Sequence, residues 1–297
     1  MASIALHTTH TSQPILDSAL EQNVKKQDFV LTGSYETNSH KVHWIVNCDG
    51  HGSGLYSDLI INFIRSLDFD EIMKKDDPAD FIKSALPSNY QTTHSGSTAS
   101  LIKIFPDKAI VWWIGDSEIM ISDGKTTIFK NTKHDINNQT DLGKLEGIAH
   151  YQGLVDRKKN KCVVIDDHTM DIQFGGYLSF VHDLYSNTFT KMNMTRSLGH
   201  CSITDTIGHF ETATIPFEKD KKYTVVAYSD GVGDMLQIHG ADEKFILTEA
   251  KTAKDIVDFA KKRWRQKWKC KGYGDYTTQY PEHHIDDISC ALFKQTD

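Results

Sequence analysis

The chain has no pair of cysteines at C-x-x-C spacing, and its five cysteines, Cys48, Cys162, Cys201, Cys270 and Cys290, form an odd, scattered set. Neither a zinc cage nor a disulfide framework is indicated. No arginine stands six positions after any of them. Those positions hold Gly54, His168, Ile207, Tyr276 and Thr296, which excludes a thiol-phosphatase loop. No G-x-x-x-x-G-K-[ST] segment occurs, and Gly50, Gly52 and Gly54 lack the spacing of a dinucleotide fingerprint. No run approaches the roughly 18 apolar residues of a membrane span, and no charged-then-apolar leader opens the chain. The expected protein is soluble, intracellular and cytoplasmic, with no membrane partner. Excess positive charge is also missing: 33 Lys and Arg against 40 Asp and Glu leave a net charge of -7, which argues against a nucleic-acid binder as a whole.

What remains is an ordinary globular composition, 39% hydrophobic and 25% charged over 297 residues, enough for one large domain with a full core. The first twenty residues, rich in Thr, Ser and His, read as a loose arm, so the domain is placed at 21–297. From 134 to 195 periodicity is poor and polar residues dominate, which predicts an irregular excursion on the scaffold. Thr252 with Asp255 reads as a capping box opening a helix whose apolar face carries Ala253, Ile256, Val257, Ala260, Trp264 and Trp268. Its basic residues, among them Lys261, Lys262 and Arg265, could be taken for a nucleic-acid surface. An apolar stripe at helical spacing is more simply a packing face, and nucleic acid is not expected as a partner.

The stretch that carries chemistry is Val42 to Gly54, VHWIVNCDGHGSG, an apolar strand that stops at Asp49, His51 and three glycines. The glycines remove side-chain bulk, so that backbone carbonyls, the Asp49 carboxylate and the His51 imidazole can all approach a ligand. The same event recurs where Ala109 to Ile114 runs into Asp116, and where Thr224 to Tyr228 runs into Asp230 and Asp234. A further strand, Ile288 to Phe293, begins just after Asp286 and Asp287 and must therefore run antiparallel to the others, which puts all these acids at one sheet edge. Aspartates closing strands into turns are common, but several gathered at one edge cannot all stay ionised without cations. Hard divalent ions with oxygen ligands resolve that conflict.

Taken in order, Gln27-Asp28, Asp49-Gly50-His51-Gly52, Ser95-Gly96-Ser97-Thr98-Ala99, Gly115-Asp116-Ser117, Thr195-Arg196-Ser197-Leu198-Gly199, Ser229-Asp230-Gly231 with Asp234, and Asp286-Asp287-Ile288-Ser289 resemble the type 2C metal-dependent serine/threonine protein phosphatases. The resemblance covers about residues 20 to 295. It implies a single-domain α+β fold, a central sandwich of two antiparallel sheets flanked by helices on both sides, with two Mn²⁺ or Mg²⁺ ions at one end. By the resemblance, Asp49 bridges both metals, Gly50 offers its backbone carbonyl, and Asp230 and Asp286 bind one metal. Asp28, after Gln27, lies just outside the ligands, and Asp116 with Asp230 and Asp234 holds a weaker third metal. The segment 134–195 corresponds to the family's variable flap.

These roles imply hydrolysis of phosphoserine and phosphothreonine in protein substrates by a hydroxide bridging two ions about 3.5 to 4 Å apart. The leaving oxygen needs a proton, and His51 is the best-placed titratable group; the alternative is a histidine that serves only the turn. The family's arginine for the substrate phosphate is replaced by Asn23, which leaves Lys25 and Lys26 for that task. His200 replaces an aspartate after the Thr-Arg-x-x-Gly run. A monomeric enzyme is expected. A catalytically silent phosphatase-like binding module stays open.

Overall fold

The computed structural model describes residues 13–52, 57–87, 95–145, 151–183, 188–199, 208–271 and 276–296. Two antiparallel sheets form a sandwich. One has the order Ile15–Glu21, Ile288–Lys294, Thr224–Tyr228, Glu118–Ser122, Thr127–Lys130. The other runs Leu198–Gly199, Ser95–Ser97, Lys41–Gly52, Ala99–Ile104, Lys108–Ile114, Glu211–Pro216, with Asp28–Glu36 on the opposite side of Lys41–Gly52.

Their strands are apolar on both faces because both faces are covered. Ile45, Ile102, Val111, Ile119, Val225 and Phe293 form the layer between the sheets. One step along the same strands, Trp44, Val46, Leu101 and Trp112 turn outward and cluster with Ile60, Ile64, Phe69 and Ile82, from the helices Leu59–Arg65, Phe69–Ile72 and Pro78–Ser84. On the far side, Val226, Tyr228 and Leu292 cluster with Ile256, Ala260 and Trp264 of the helix Ala253–Arg265. The fold is the expected α-β-β-α arrangement. That last helix opens on the capping box: Asp255 N–H donates to Thr252 Oγ1 at 3.2 Å and Thr252 N–H to Asp255 Oδ2 at 2.9 Å.

Four expectations need correction. Residues 15–20 belong to no loose arm. Ile15–Glu21 is a strand paired along its length with Ile288–Lys294, with Leu16 facing the sandwich interior and Ala19 the helix side. Asp17 accepts a hydrogen bond at 2.9 Å from the N–H of Ala253 at the start of that helix. Nor are the described residues of 134–195 an irregular excursion. The strands Tyr151–Val164 and Thr169–Asp183 make a long hairpin, extended by Thr188–Met192. Thr169–Asp171 pairs in parallel with Lys269–Lys271, which joins the hairpin to the chain beyond the last helix. The polar sequence hid it because among its described side chains only the base, with Val164 and Met170, reaches the core.

Trp268 opens the strand Trp268–Lys271 instead of extending the helix. Both it and Trp264 are buried, so neither is offered to a base for stacking. The acids, finally, do not share one sheet edge. Asp49 lies inside the strand Lys41–Gly52 of one sheet, three residues before its end, whereas Asp230 and Asp286 flank strands of the other. The sandwich brings the two edges together at one end. Among the described residues no helix is long and apolar enough to cross a membrane. Residues 1–12, Ser53 and His200 lie outside the described residues.

Candidate active site

Asp49 is placed by its own backbone. Its N–H donates to Thr98 Oγ1 at 3.0 Å, and its carbonyl accepts Thr98 N–H at 2.8 Å and the Ser97 hydroxyl at 3.1 Å. Thr98 Oγ1 also lies 2.7 Å from Ser117 Oγ, and that bond ties the end of one sheet to the crossover Gly115-Asp116-Ser117 into the other. At Gly115, with φ of +95°, a Cβ would stand 2.5 Å from Thr98 Cγ2, so the crossover tolerates no side chain there. The Ser-Gly-Ser-Thr segment thus holds Asp49 and the Asp116 turn together, a role that its sequence does not announce.

Asp230 follows the strand Thr224–Tyr228. Ser229 N–H donates to the Ser289 carbonyl at 3.1 Å, and Ser289 N–H donates to Ser229 Oγ at 3.0 Å. A Cβ on Gly231 would lie 1.9 Å from the Asp287 carbonyl oxygen, and the Gly231 carbonyl accepts the Trp264 indole N–H at 2.7 Å. The turn carrying Asp230 is therefore pressed directly against the turn carrying Asp286. Asp28 lies in register opposite Asp49 and is buried.

Asp49 and Asp230 come from the two different sheets and interact electrostatically where these meet. Burial and then the Asp230 charge push Asp49 well above the usual carboxylate range. Burial and then the charges of Asp286, Asp234 and Asp116 do the same to Asp230. Asp116 is pushed up to about 6 by burial, with Lys133 opposing and Asp234 adding to the shift. Asp234 is half-buried and paired with Lys161 at 3.2 Å. A cleft lined by Glu118, Lys133, Lys161 and Asp234 opens on this side.

Other expected residues take less expected positions. Lys25 does not stand free for a phosphate: its Nζ is 3.0 and 2.9 Å from the two carboxylate oxygens of Asp286. Lys26 is exposed. The Gln27 side chain turns away to donate to Asp58 Oδ1 at 2.9 Å, while its carbonyl accepts Gly50 N–H at 3.0 Å. His51, partly buried, follows Asp49 by two residues on the same strand. Asn23, where the resemblance has an arginine, donates through Nδ2 to the Asp286 carbonyl at 2.5 Å. Asp287 was not singled out from the sequence. It is buried and accepts the N–H groups of Asn23 and Gln27, each at 2.5 Å; its place beside the strand-opening acid was the one available signal.

The donors that could hold a metal are all oxygens: Asp49, Asp230, Asp286 and, further out, Asp116 and Asp234. Asp230 Oδ1 is buried and among the described residues has no hydrogen-bond partner. An orphaned buried acceptor among crowded carboxylates suits a hard divalent cation. As they stand, no three acids among the described residues converge on one ligating point, Asp286 being turned onto Lys25.

The comparison that decides the family is a match of the model described as Protein phosphatase 2C to residues 31–269. The chain belongs to this family. Membership supports a serine/threonine phosphatase, metal-dependent as the family is and acting on phosphoprotein substrates. Solved structures agree in fold. Serine/threonine phosphatase Stp1 from Staphylococcus aureus has a TM-score of 0.52 at 11% identity, over 96% of each chain. The S. agalactiae serine/threonine phosphatase gives 0.52 at 17%, over 95% of this chain and 99% of that one. A C. elegans sex determining protein gives 0.55 at 15%, over 96% of this chain and 65% of its own. No curated protein sequence matches the chain.

The crowded carboxylates predict a pH effect that requires no metal. Burial pushes Asp28 up to about 7, against the opposing hydrogen bonds of Ser289 and Ser229. A folded-state pKa raised above the unfolded value means that the folded protein holds this proton more tightly. The stabilising contribution is therefore complete below about pH 4 and is lost as pH rises to about 7. Asparagine has no such proton to lose. In chelator, Asp28→Asn is expected to gain stability relative to the parent protein between about pH 5 and about pH 8, read as urea midpoints. An equal difference at both pH values would contradict the assignment.

Proposed function

We propose that the protein hydrolyses phosphoserine and phosphothreonine in proteins, with Asp49, the Gly50 carbonyl, Asp230 and Asp286 holding two Mn²⁺ or Mg²⁺ ions and Asp116 with Asp234 holding a weaker third. The observation that carries this reading is the meeting of Asp49 and Asp230 from two different sheets, with Asp230 Oδ1 buried and unpartnered among the described residues. Bound there, the ions supply an activated water nucleophile and offset the charge of the phosphoryl group. The chain's own residues do the rest. Asp49 and Asp230 gather negative charge at one point, Lys25 and Lys26 bring positive charge to the mouth where a phosphate would enter, and His51 delivers a proton to the departing serine or threonine oxygen. Asp28 and Gln27 stand behind the ligands.

A silent phosphatase-like binding module is the second reading. It is favoured by the Gln27 amide, which is occupied with Asp58, and by Lys25 seated on Asp286. A phosphothreonine peptide assay separates the two. Turnover in Mn²⁺ that disappears in chelator and returns with added metal is the expected result, whereas no turnover at any metal concentration would establish the silent module.

A further inference from the structure

The loop Asn23 to Gln27 is bound at both ends to a single pair of acids. Asp287 accepts the N–H groups of Asn23 and Gln27 through its two carboxylate oxygens, and Asn23 Nδ2 donates to the Asp286 carbonyl. On the outer side, Arg65 donates to the carbonyls of Lys26 at 2.6 Å and Asp28 at 3.1 Å. Inside this frame Lys26 has φ of +55°, the one positive value at a non-glycine residue among those described. A lysine is held in that region only where its surroundings over-determine the backbone. Lys25, one residue earlier, lies across both oxygens of Asp286, within the electrostatic reach of Asp230 and Asp49 as well. An exposed lysine on one carboxylate is ordinarily a weak and dispensable pair. Here the ammonium lies on an acid of the centre proposed above, and a strained, clamped loop keeps it there.

We infer that Lys25 is a resident cation of the divalent centre: its ammonium and an incoming metal ion compete for Asp286, so that Lys25 sets how tightly the centre loads. The inference rests on the reading of Asp286 as a metal ligand. Without metal, Lys25 offsets the acids and supports the edge. With metal, its charge opposes loading, and removing it strengthens metal binding while weakening the metal-free protein.

The test titrates Mn²⁺ into the full chain after removal of metal by chelator, following free Mn²⁺ by its paramagnetic resonance signal. Lys25→Met keeps the length of the side chain and removes the charge. Its Kd for Mn²⁺ is expected to fall about tenfold, the scale of one unit charge acting on a dication a few ångströms away in a partly wet site. Its Tm in chelator should fall and its Tm gain on adding Mn²⁺ should grow. Lys25→Arg keeps the charge and should bind Mn²⁺ no more tightly than the parent. Lys26→Met, on the exposed side of the loop, should change Kd by less than about twofold because solvent screens it. An unchanged or weaker Kd in Lys25→Met overturns the inference, as does equal tightening in Lys26→Met, which would make it a matter of general charge. Asp49→Asn separates the two levels. If it loses Mn²⁺ binding while Lys25→Met leaves Kd unchanged, the inference alone fails. If it binds Mn²⁺ like the parent, the metal-centre reading fails and takes the inference with it.

Discussion

Replacing Asp49 or Asp230 by asparagine is expected to abolish turnover of a phosphothreonine peptide and to weaken Mn²⁺ binding sharply. A neutral amide keeps the shape of the side chain but cannot offset a dication as a carboxylate does. The loss should exceed the roughly 10- to 100-fold seen when only outer-shell partners of a metal are changed. Unfolding is not the expected cause. Without metal both carboxyls are already pushed well above the usual range, Asp49 by burial and then the Asp230 charge, Asp230 by burial and then the charges of Asp286, Asp234 and Asp116, so removing one charge relieves the crowding. The variants should melt in chelator at or above the parent's Tm and should gain little from added Mn²⁺. Near-normal turnover in Asp49→Asn would sink the mechanism, because the acid where the two sheet edges meet would then have no chemical role.

His51→Gln is expected to lower kcat on a phosphoserine peptide by about 10²-fold or more, the usual size of a general-acid contribution, with a much smaller loss on nitrophenyl phosphate. Protonation helps only an oxygen that would otherwise leave as a strongly basic anion. A serine alkoxide is such an anion and a nitrophenolate is not. His51 follows the Asp49-Gly50 pair directly on the strand Lys41–Gly52, so it travels with the metal edge, and its replacement should leave Mn²⁺ affinity nearly unaltered. Equal losses on the two substrates would assign His51 to the turn's structure or to metal geometry, and the general-acid role would be withdrawn.

Much of this was legible in the residues themselves. The run Val42 to Cys48 predicted a buried strand because covering by helices on one face and a second sheet on the other demands apolar side chains on both. Thr252 and Asp255 predicted a helix start because the capping bonds are local. Asp49, Asp116, Asp230 and Asp286 were read as a set because each stands where an apolar run meets polar residues, although that reading placed them on one sheet edge and the structure divides Asp49 and Asp230 between two sheets. The fold class followed from the family that these motifs, in their order, resemble.

Other features were decided only by contacts between residues distant in sequence. The strand Ile15–Glu21 resembles a loose polar arm until Ile288–Lys294 supplies its partner, since an edge strand is stabilised by a neighbour its own sequence does not contain. The hairpin of Tyr151–Val164 and Thr169–Asp183 was hidden for the same reason: each strand draws its main-chain pairing from the other, and a polar sequence leaves no periodic trace of it. The fate of Lys25 lies furthest from sequence. Its spacing to the acids along the chain, 261 residues to Asp286, says nothing of an ion pair. Only the clamp of Asp287 on Asn23 and Gln27 directs that ammonium onto a carboxylate instead of into solvent. The sequence by itself determined which oxygens are available and on which strands they ride, because residue type and periodicity are local properties. Tertiary structure alone decided which of those charges meet, because Coulomb energies depend on distances that the chain acquires only when both sheets close.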